Sequence, residues 1–402
     1  MQSSPRTIAV FTILFPHPGQ PRAGLFIRER MFRVAGRLPL IVIAPVPWFP
    51  LQGLIRRWRP HFRPPAPRRE VQQGIVVEHP RYLSFPGIFK GLDGLCLALG
   101  AYPTCWRLRH EIGVLDAHFA YPDGLAATWL GRWLGKPVTV TLRGTEVPHA
   151  RHPGRRRQVQ RALRRADWVF AVSASLKQLA VELGRPAERI EVVGNGVDVT
   201  RFQPIDKQGA RRRYRIPASA RCLITVGGLV ERKGFHRVIE LMPALRARFP
   251  DLHYLIVGGP SAEGDWSERL QAMTAQLGLT DCVHFLGQIS PDELKYPLSA
   301  ADVFVLPTRN EGWANVLLEA LACGLPVVTT NVGGNAEVIT DPALGTIVPF
   351  GDGQALQVAL TDALDRHWDK PTLLEYARAN AWEGRIATLE TAFRRIMGGE
   401  SN

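Results

Sequence analysis

Cysteine is scarce in this chain: five residues in 402, Cys96, Cys105, Cys222, Cys282 and Cys323, with no CxxC pair and no metal-ligand spacing. That pattern excludes a disulfide-stapled scaffold and a zinc ribbon. Reduced thiols in apolar surroundings of a cytosolic protein explain it. Long hydrophobic runs are missing too. The apolar stretches at 8–15 and 94–102 fall short of the roughly 20 residues that cross a bilayer, and the first is too poorly flanked for a signal peptide. No GxGxxG follows the first apolar run, which argues against a nicotinamide-dependent dehydrogenase. Acidic residues are lacking in one half only: residues 1–200 hold 29 Lys+Arg against 13 Asp+Glu, and 201–402 hold 21 against 23. The whole excess of +14 therefore belongs to the first half.

That excess is clustered. Arg56, Arg57, Arg59, Arg63, Arg68 and Arg69 form one group, and Arg151, Arg155, Arg156, Arg157, Arg161, Arg164 and Arg165 another. The first group stands among Trp48, Phe49, Leu51, Leu54, Ile55, Trp58 and Phe62. Arginines mixed with aromatics suit an anionic membrane surface, where each near-surface cation adds about 1 kcal/mol. A nucleic-acid patch has the same composition, and so do solvated loops.

A length of 402 residues exceeds one typical core, and two domains is the simplest division. The pattern is α/β throughout. A buried strand at 8–14 leads through a Pro/Gly loop into a helix at 26–36, and strands at 40–44, 75–78, 114–117, 138–142, 168–172 and 190–193 follow, with helices at 124–134, 158–165 and 175–183. Strands resume at 223–226, 252–257, 283–286, 303–306, 327–329 and 345–348, alternating with helices at 235–249, 267–277 and 315–323. An amphipathic helix at 382–397 closes the chain. Ligands of doubly wound sheets bind beyond the carboxyl ends of the strands, so the loops there carry the candidate site residues.

Two of those loops are distinctive. Val226-Gly227-Gly228-Leu229-Val230-Glu231-Arg232-Lys233-Gly234 joins a strand to a helix. Glu311-Gly312-Trp313-Ala314-Asn315-Val316-Leu317-Leu318-Glu319 places one glutamate in a strand-to-helix turn and a second on the helix, where free backbone N–H groups receive polar ligand oxygens. By spacing alone the pair fits acid/base work, or merely a loop carboxylate and a helix carboxylate.

Together the two segments resemble the family 4 glycosyltransferases, retaining enzymes of the GT-B type with two Rossmann-like doubly wound domains facing a central cleft. The resemblance implies an acceptor-side domain at 1–200, a nucleotide-sugar donor domain at 201–380, and a helix at 381–402 crossing back to the first domain. It gives Lys233 the donor pyrophosphate and Glu319 the ribose hydroxyls. Glu311 and the backbone through Gly312, Trp313, Ala314, Asn315 and Val316 would hold the donor sugar. Gly258 and Gly287, each after a strand, would let the backbone approach the nucleotide, and Gly24 would approach the phosphates. His118, at a strand end, would reach the transferred group, and Asn195 in Gly194-Asn195-Gly196-Val197-Asp198 lies in the family's segment before the interdomain linker.

Two positions depart from the family pattern. Gly228 stands where many members carry a phosphate-binding Arg, and Arg232 is the substitute at hand. Arg143-Gly144 stands where many have His-Gly, suggesting an anionic acceptor or an acidic sugar, or equally a pairing with Glu146. With Asn195, Arg143 is assigned to the acceptor side. The catalytic group is then Arg232, Lys233, His118 and Glu311, stabilising a departing UDP or GDP; no cofactor and no essential metal is expected, since no DxD stands near a suitable loop. The expected partners are a nucleotide-sugar donor, a lipid-linked glycan acceptor and an anionic membrane surface, without nucleic acid, at the inner face of the plasma membrane. A nucleotide-sugar epimerase on the same fold, or a basic nucleic-acid-binding protein, are the alternatives.

Overall fold

The computed structural model describes residues 6–59, 62–261 and 263–398. The chain forms two compact units, one holding the chain up to Asn195 together with the segment from Glu383, the other Gly196–Trp382. The division thus falls at 195/196 and 382/383, against the expected 200/201 and 380/381; the expected outer bounds, 1 and 402, lie outside the described residues.

The first unit contains strands β1 (Thr7–Phe11), β2 (Leu40–Ile43), β3 (Val46–Trp48), β4 (Arg69–Gln72), β5 (Ile75–Glu78), β6 (Arg81–Leu83), β7 (Ile112–His118), β8 (Val138–Leu142), β9 (Trp168–Ala171) and β10 (Ile190–Val192). Among the described residues eight of these form one sheet in the order β10-β9-β8-β7-β1-β2-β5-β4, while β3 and β6 pair separately. All ladders of the large sheet are parallel except β4 on β5. Strands with helices on both faces have no wet side, so β7 and β8 are buried along their whole length and read as continuous rather than alternating apolar runs.

The second unit contains β11 (Cys222–Val226), β12 (His253–Val257), β13 (Val283–Gly287), β14 (Val303–Leu306), β15 (Val327–Thr330) and β16 (Gly345–Val348). They form a parallel sheet in the order β13-β12-β11-β14-β15-β16. Strand order reverses between β11 and β14, the switch point at which doubly wound sheets bind their ligands, and the helices that follow these two strands pack on opposite faces of the sheet. Two apolar clusters cover the sheet's two faces, one including Ile224, Phe304, Leu317 and Leu321, the other Leu223, Phe235, Ile239 and Val305.

Several elements have no counterpart in the sequence reading. The helix Asp93–Arg107 contains Gly94, Gly100 and Pro103, which lower local propensity enough to mask its period. The helices Gln52–Trp58, Gly353–Asp365 and Lys370–Ala379 were also unread. Among the described residues no helix is long and apolar enough to cross a membrane.

The last helix, Trp382–Gly398, packs within the first unit. Ile386, Leu389, Phe393 and Met397 repeat at helical spacing and are buried, with the Phe393 ring 5.5 Å from Phe170 on β9. Arg37 meets Glu390 at 3.1 Å, and the Arg395 guanidinium lies over Trp168. Phe393→Ala is expected to destabilise the first unit by about 3–5 kcal/mol, the usual range for truncating a buried aromatic. Denaturant unfolding should show an earlier transition for that unit and an unmoved one for the second.

Candidate functional site

In the second unit the loops after β11 and β14 are bonded to each other by backbone and side chains. After β11 the chain runs through Gly227 and Gly228 into a single 3-10 turn, Glu231–Lys233, and then the helix Phe235–Arg248. Gly234 makes that junction possible: its φ is 80°, and a β-carbon there would stand 2.3 Å from the Pro307 carbonyl of the other loop. The Arg309 N–H donates to the Arg232 carbonyl at 2.8 Å. Leu229 N–H reaches Gly259 O at 2.9 Å, and Gly258 N–H reaches Gly287 O at 2.9 Å, so the loops after β12 and β13 join the same lattice.

One carboxylate oxygen is the hub of this arrangement. Glu311 Oε1 accepts from Lys233 Nζ at 2.6 Å, from an Arg232 terminal nitrogen at 3.0 Å and from Thr308 Oγ1 at 3.1 Å, with the Glu311 side chain only 10% exposed. Arg232 also donates to Asn310 O at 2.7 Å, and its remaining edge grips Glu263 through bonds of 2.8 and 2.6 Å. Burial opposes the Arg232 charge, but the Glu263 bonds and the Glu311 charge outweigh it and push its pKa above the ordinary value. In turn the bond from Arg232 holds Glu263 below the usual carboxylate range. The two cations expected to meet phosphate are thus each matched by a carboxylate. Of these, Glu263 is 54% exposed and Glu311 is not.

The other expected donor residues lie around this hub or along the neighbouring strand ends. Gly312 and Trp313 continue the loop, Trp313 with its indole N–H buried and unpartnered, and Ala314 flanks the helix Asn315–Ala322. Asn315 and Val316 open that helix, and Glu319 stands one turn on, partly buried. Gly228 lies beside the Ser261 side chain, and Gly258 and Gly287 end the β12 and β13 segments.

In the first unit the structure assembles a buried polar chain. His118, at the end of β7, is fully buried: Arg143 donates to its Nδ1 at 3.0–3.2 Å, and its Nε2 lies 3.4 Å from an Asp116 oxygen. Arg143 also donates to Asn195 Oδ1 at 3.3 Å, and Arg30 meets the same oxygen at 3.4 Å and Val193 O at 2.9 Å. The Glu146 carboxylate instead accepts backbone N–H groups, from Ala120 at 2.9 Å, Gly144 at 2.9 Å and Arg143 at 3.2 Å. Arg143 therefore turns its side chain to His118 and Asn195 rather than hydrogen-bonding to Glu146. Gly24 precedes the helix Leu25–Ala35 with a left-handed backbone, in the loop after β1.

Sequence reasoning missed Glu263, Thr308, Arg30 and Asp116. For Glu263 and Thr308 there was no local sign, because their partners are distant in sequence or meet them only through the turn. Arg30 did leave one: it falls on the apolar stripe Ile27, Met31, Val34 of its helix, where an unpaired cation would be untenable.

The His118 environment has a measurable consequence. Burial first, then the neighbouring Arg143, lower its pKa from 6.5 to about 4. Below pH 6.5 the unfolded chain takes up a proton that the folded state refuses until near pH 4, so stability that is intact above pH 6.5 is lost progressively as pH drops through that window. Relative to His118→Gln, wild type is expected to lose about 2 kcal/mol of stability between pH 7 and 5, as read by urea unfolding at the two pH values.

Comparison with known proteins agrees with this layout. The family model for glycosyltransferase family 4 matches residues 51–201, and that for glycosyl transferases group 1 matches residues 206–381. The chain is 33% identical to the D-inositol 3-phosphate glycosyltransferase of Corynebacterium urealyticum over 67% of each chain. It is 34% identical to a GDP-mannose-dependent phosphatidylinositol monomannoside mannosyltransferase of Mycolicibacterium smegmatis, over 64% of this chain and 68% of that one. Among solved structures, Anabaena HepE in complex with UDP superposes with a TM-score of 0.72 at 20% identity, covering 98% of this chain and 99% of that one. Matched over both units and more than 30% identical to relatives across two thirds of their length, the chain belongs to family 4 of the GT-B glycosyltransferases.

Proposed function

We propose that this glycosyltransferase retains anomeric configuration and moves a sugar from a UDP- or GDP-sugar to a lipid-linked oligosaccharide or polysaccharide acceptor, in cell-envelope or exopolysaccharide synthesis. The observation that carries the reading is the convergence of Lys233, Arg232 and Thr308 on Glu311 at the switch point of the second unit. Relatives named for GDP-mannose and for phosphatidylinositol or inositol phosphate, and a structural neighbour solved with UDP, support the donor and acceptor classes.

In this reading Lys233 and Arg232 stabilise the diphosphate as the sugar–phosphate bond breaks. Charge that grows in the transition state rewards fixed cations more than the ground state does. They supply the neutralising charge without a metal. Glu311 orients a sugar hydroxyl and keeps the cations aimed, and Glu319 holds the ribose. The departing phosphate assists attack on the same face, so no side chain serves as nucleophile. His118, Arg143 and Asn195 belong to the acceptor-side unit, which works at the inner face of the plasma membrane.

Diphosphate needs at least one of the two cations released from its carboxylate. The exposed Glu263 is the one to yield, because a solvent-facing ion pair holds by little. Glu263→Gln is expected to lower the donor KM by a factor of about 2 to 5 with little change in kcat. Lys233→Ala is expected to lower kcat/KM by about 10²- to 10³-fold in donor hydrolysis over a panel of nucleotide sugars. Full turnover in both Lys233→Ala and Glu319→Ala would sink the proposal.

A further inference from the structure

The helix Gln52–Trp58 of the first unit has two opposed faces, and both point to a lipid. At 100° per residue, Leu54, Ile55 and Trp58 fall on one side and Gln52, Gly53 and Arg56 on the other, with Leu51 just before the helix. The apolar side faces outward: Leu51 is 78% exposed, Leu54 53% and Trp58 84%. A soluble helix normally does the reverse, and large apolar side chains grouped in solvent mark a contact surface. The surface continues. The buried Phe49, just before the helix, meets the tilted ring of Phe85 at 6.0 Å, and Phe85 meets Phe89 edge-on at 6.3 Å, with Ile88, Phe89 and Leu92 exposed. Leu51 and Phe89 both hold a left-handed backbone, φ 67° and 54°, a strain that persists only where the surroundings or the function require it.

The polar side of the same helix lines a cavity of about 290 Å³ at the carboxyl ends of β1, β2 and β5. Arg56, Arg63, Arg81, His17 and His79 contribute to its wall, and among the described residues no carboxylate does. Of the acids outside that wall, Glu70 is bonded to His79 Nε2 at 3.0 Å, and the Asp93 charge acts on Arg63. Arg63 is fixed by a 2.6 Å bond to Ser84 O, with its own backbone left-handed at φ 44°. Such a wall selects an anion, and phosphate oxygens suit arginine forks best.

We propose that this cavity binds the phosphate-bearing head of a membrane lipid while Leu51, Leu54 and Trp58 enter the bilayer that carries it. The inference rests on the transferase reading for its identity as an acceptor site, but the binding itself does not depend on it. A free phosphate would use the same cavity chemistry; what favours the lipid is that the helix roofing the cavity turns its apolar face outward beside it. The flanking arginines then face anionic headgroups.

The test is vesicle co-sedimentation with the full chain. Probes are phosphatidylcholine vesicles, the same vesicles with phosphatidylglycerol, and the same with a polyprenyl phosphate at matched charge. Wild type is expected to bind the polyprenyl phosphate vesicles about tenfold more tightly than the phosphatidylglycerol ones, since only the former presents an exposed phosphate monoester to the arginines. Leu54→Ser with Trp58→Ser should lower binding to both anionic vesicles by about tenfold or more while melting like wild type. Arg56→Gln should abolish the preference between them. Because Arg56 also ties its loop to the Phe62 and Arg63 carbonyls, Arg81→Gln is measured separately and should narrow the same preference. Equal wild-type binding to the two anionic vesicles would overturn the proposal, as would a preference that survives both arginine variants. Inorganic pyrophosphate that binds the lipid-free protein as tightly as the polyprenyl phosphate vesicles do would also overturn it, by assigning the cavity to a soluble anion. Nucleotide-sugar hydrolysis by wild type, measured alongside, keeps the two readings apart: its absence would sink the transferase reading and leave the vesicle results standing.

Discussion

Everything at the switch point of the second unit depends on one carboxylate oxygen accepting three hydrogen bonds. Glu311 Oε1 draws together a lysine and an arginine from the loop after β11 and a threonine from its own loop after β14. Without it, two cations would sit within a few ångströms of each other in a partly buried place, repelling. With it they form a preorganised set of one net positive charge, whose positions are fixed before any ligand arrives. Backbone bonds from Arg309 to Arg232 and the contact of Gly234 with Pro307 make the same junction rigid from below. Preorganisation of this kind removes reorganisation from the reaction step, which is where electrostatic catalysis gains most.

Much of this was legible in the sequence, for identifiable reasons. Strands buried on both faces announce themselves as continuous apolar runs, so β1, β7, β8, β11, β12 and β14 stood out, and the Lys-Gly and Glu-rich turns located themselves at strand ends. What stayed hidden has equally physical causes. The helix Asp93–Arg107 runs unbroken through Gly94, Gly100 and Pro103, so tertiary packing rather than propensity sustains it. Glu263 is exposed and 31 residues from Arg232, and no local pattern links them. From sequence, a pairing with Glu146 is one reading of Arg143 and an anionic acceptor or an acidic sugar the other. In the folded unit three backbone N–H groups claim that carboxylate, and the Arg143 side chain turns elsewhere. The helix Gln52–Trp58 shows in the sequence only as arginines among apolar residues, being too short for a helical period to register.

The first unit contains a different kind of electrostatic commitment. Arg30 and Arg143 both donate to the side-chain oxygen of Asn195, and His118 is placed between Arg143 and Asp116. Such a chain tolerates little editing, because removal of any member leaves a buried polar group with no partner. Its members come from the first helix, from β7, from the loop after β8 and from the end of the unit. That gives the unit a polar specification of its register beyond what apolar packing supplies.

Asn195 is also the residue at which the chain leaves the first unit, and Glu383 is where it returns. Exit and return are adjacent, since Val197 pairs with Ala381 and donates to the Asn380 carbonyl at 3.1 Å. Topologically, then, the second unit is an insertion near the end of the first, which is completed by the final helix alone. On the ribosome the consequence is an inverted order of maturation. The first half is synthesised early but lacks the contact of Phe393 on Phe170 until residues 383–398 emerge, by which time the whole inserted unit has had the opportunity to fold. A chain truncated before that helix would leave the inserted unit whole and the earlier-made one incomplete.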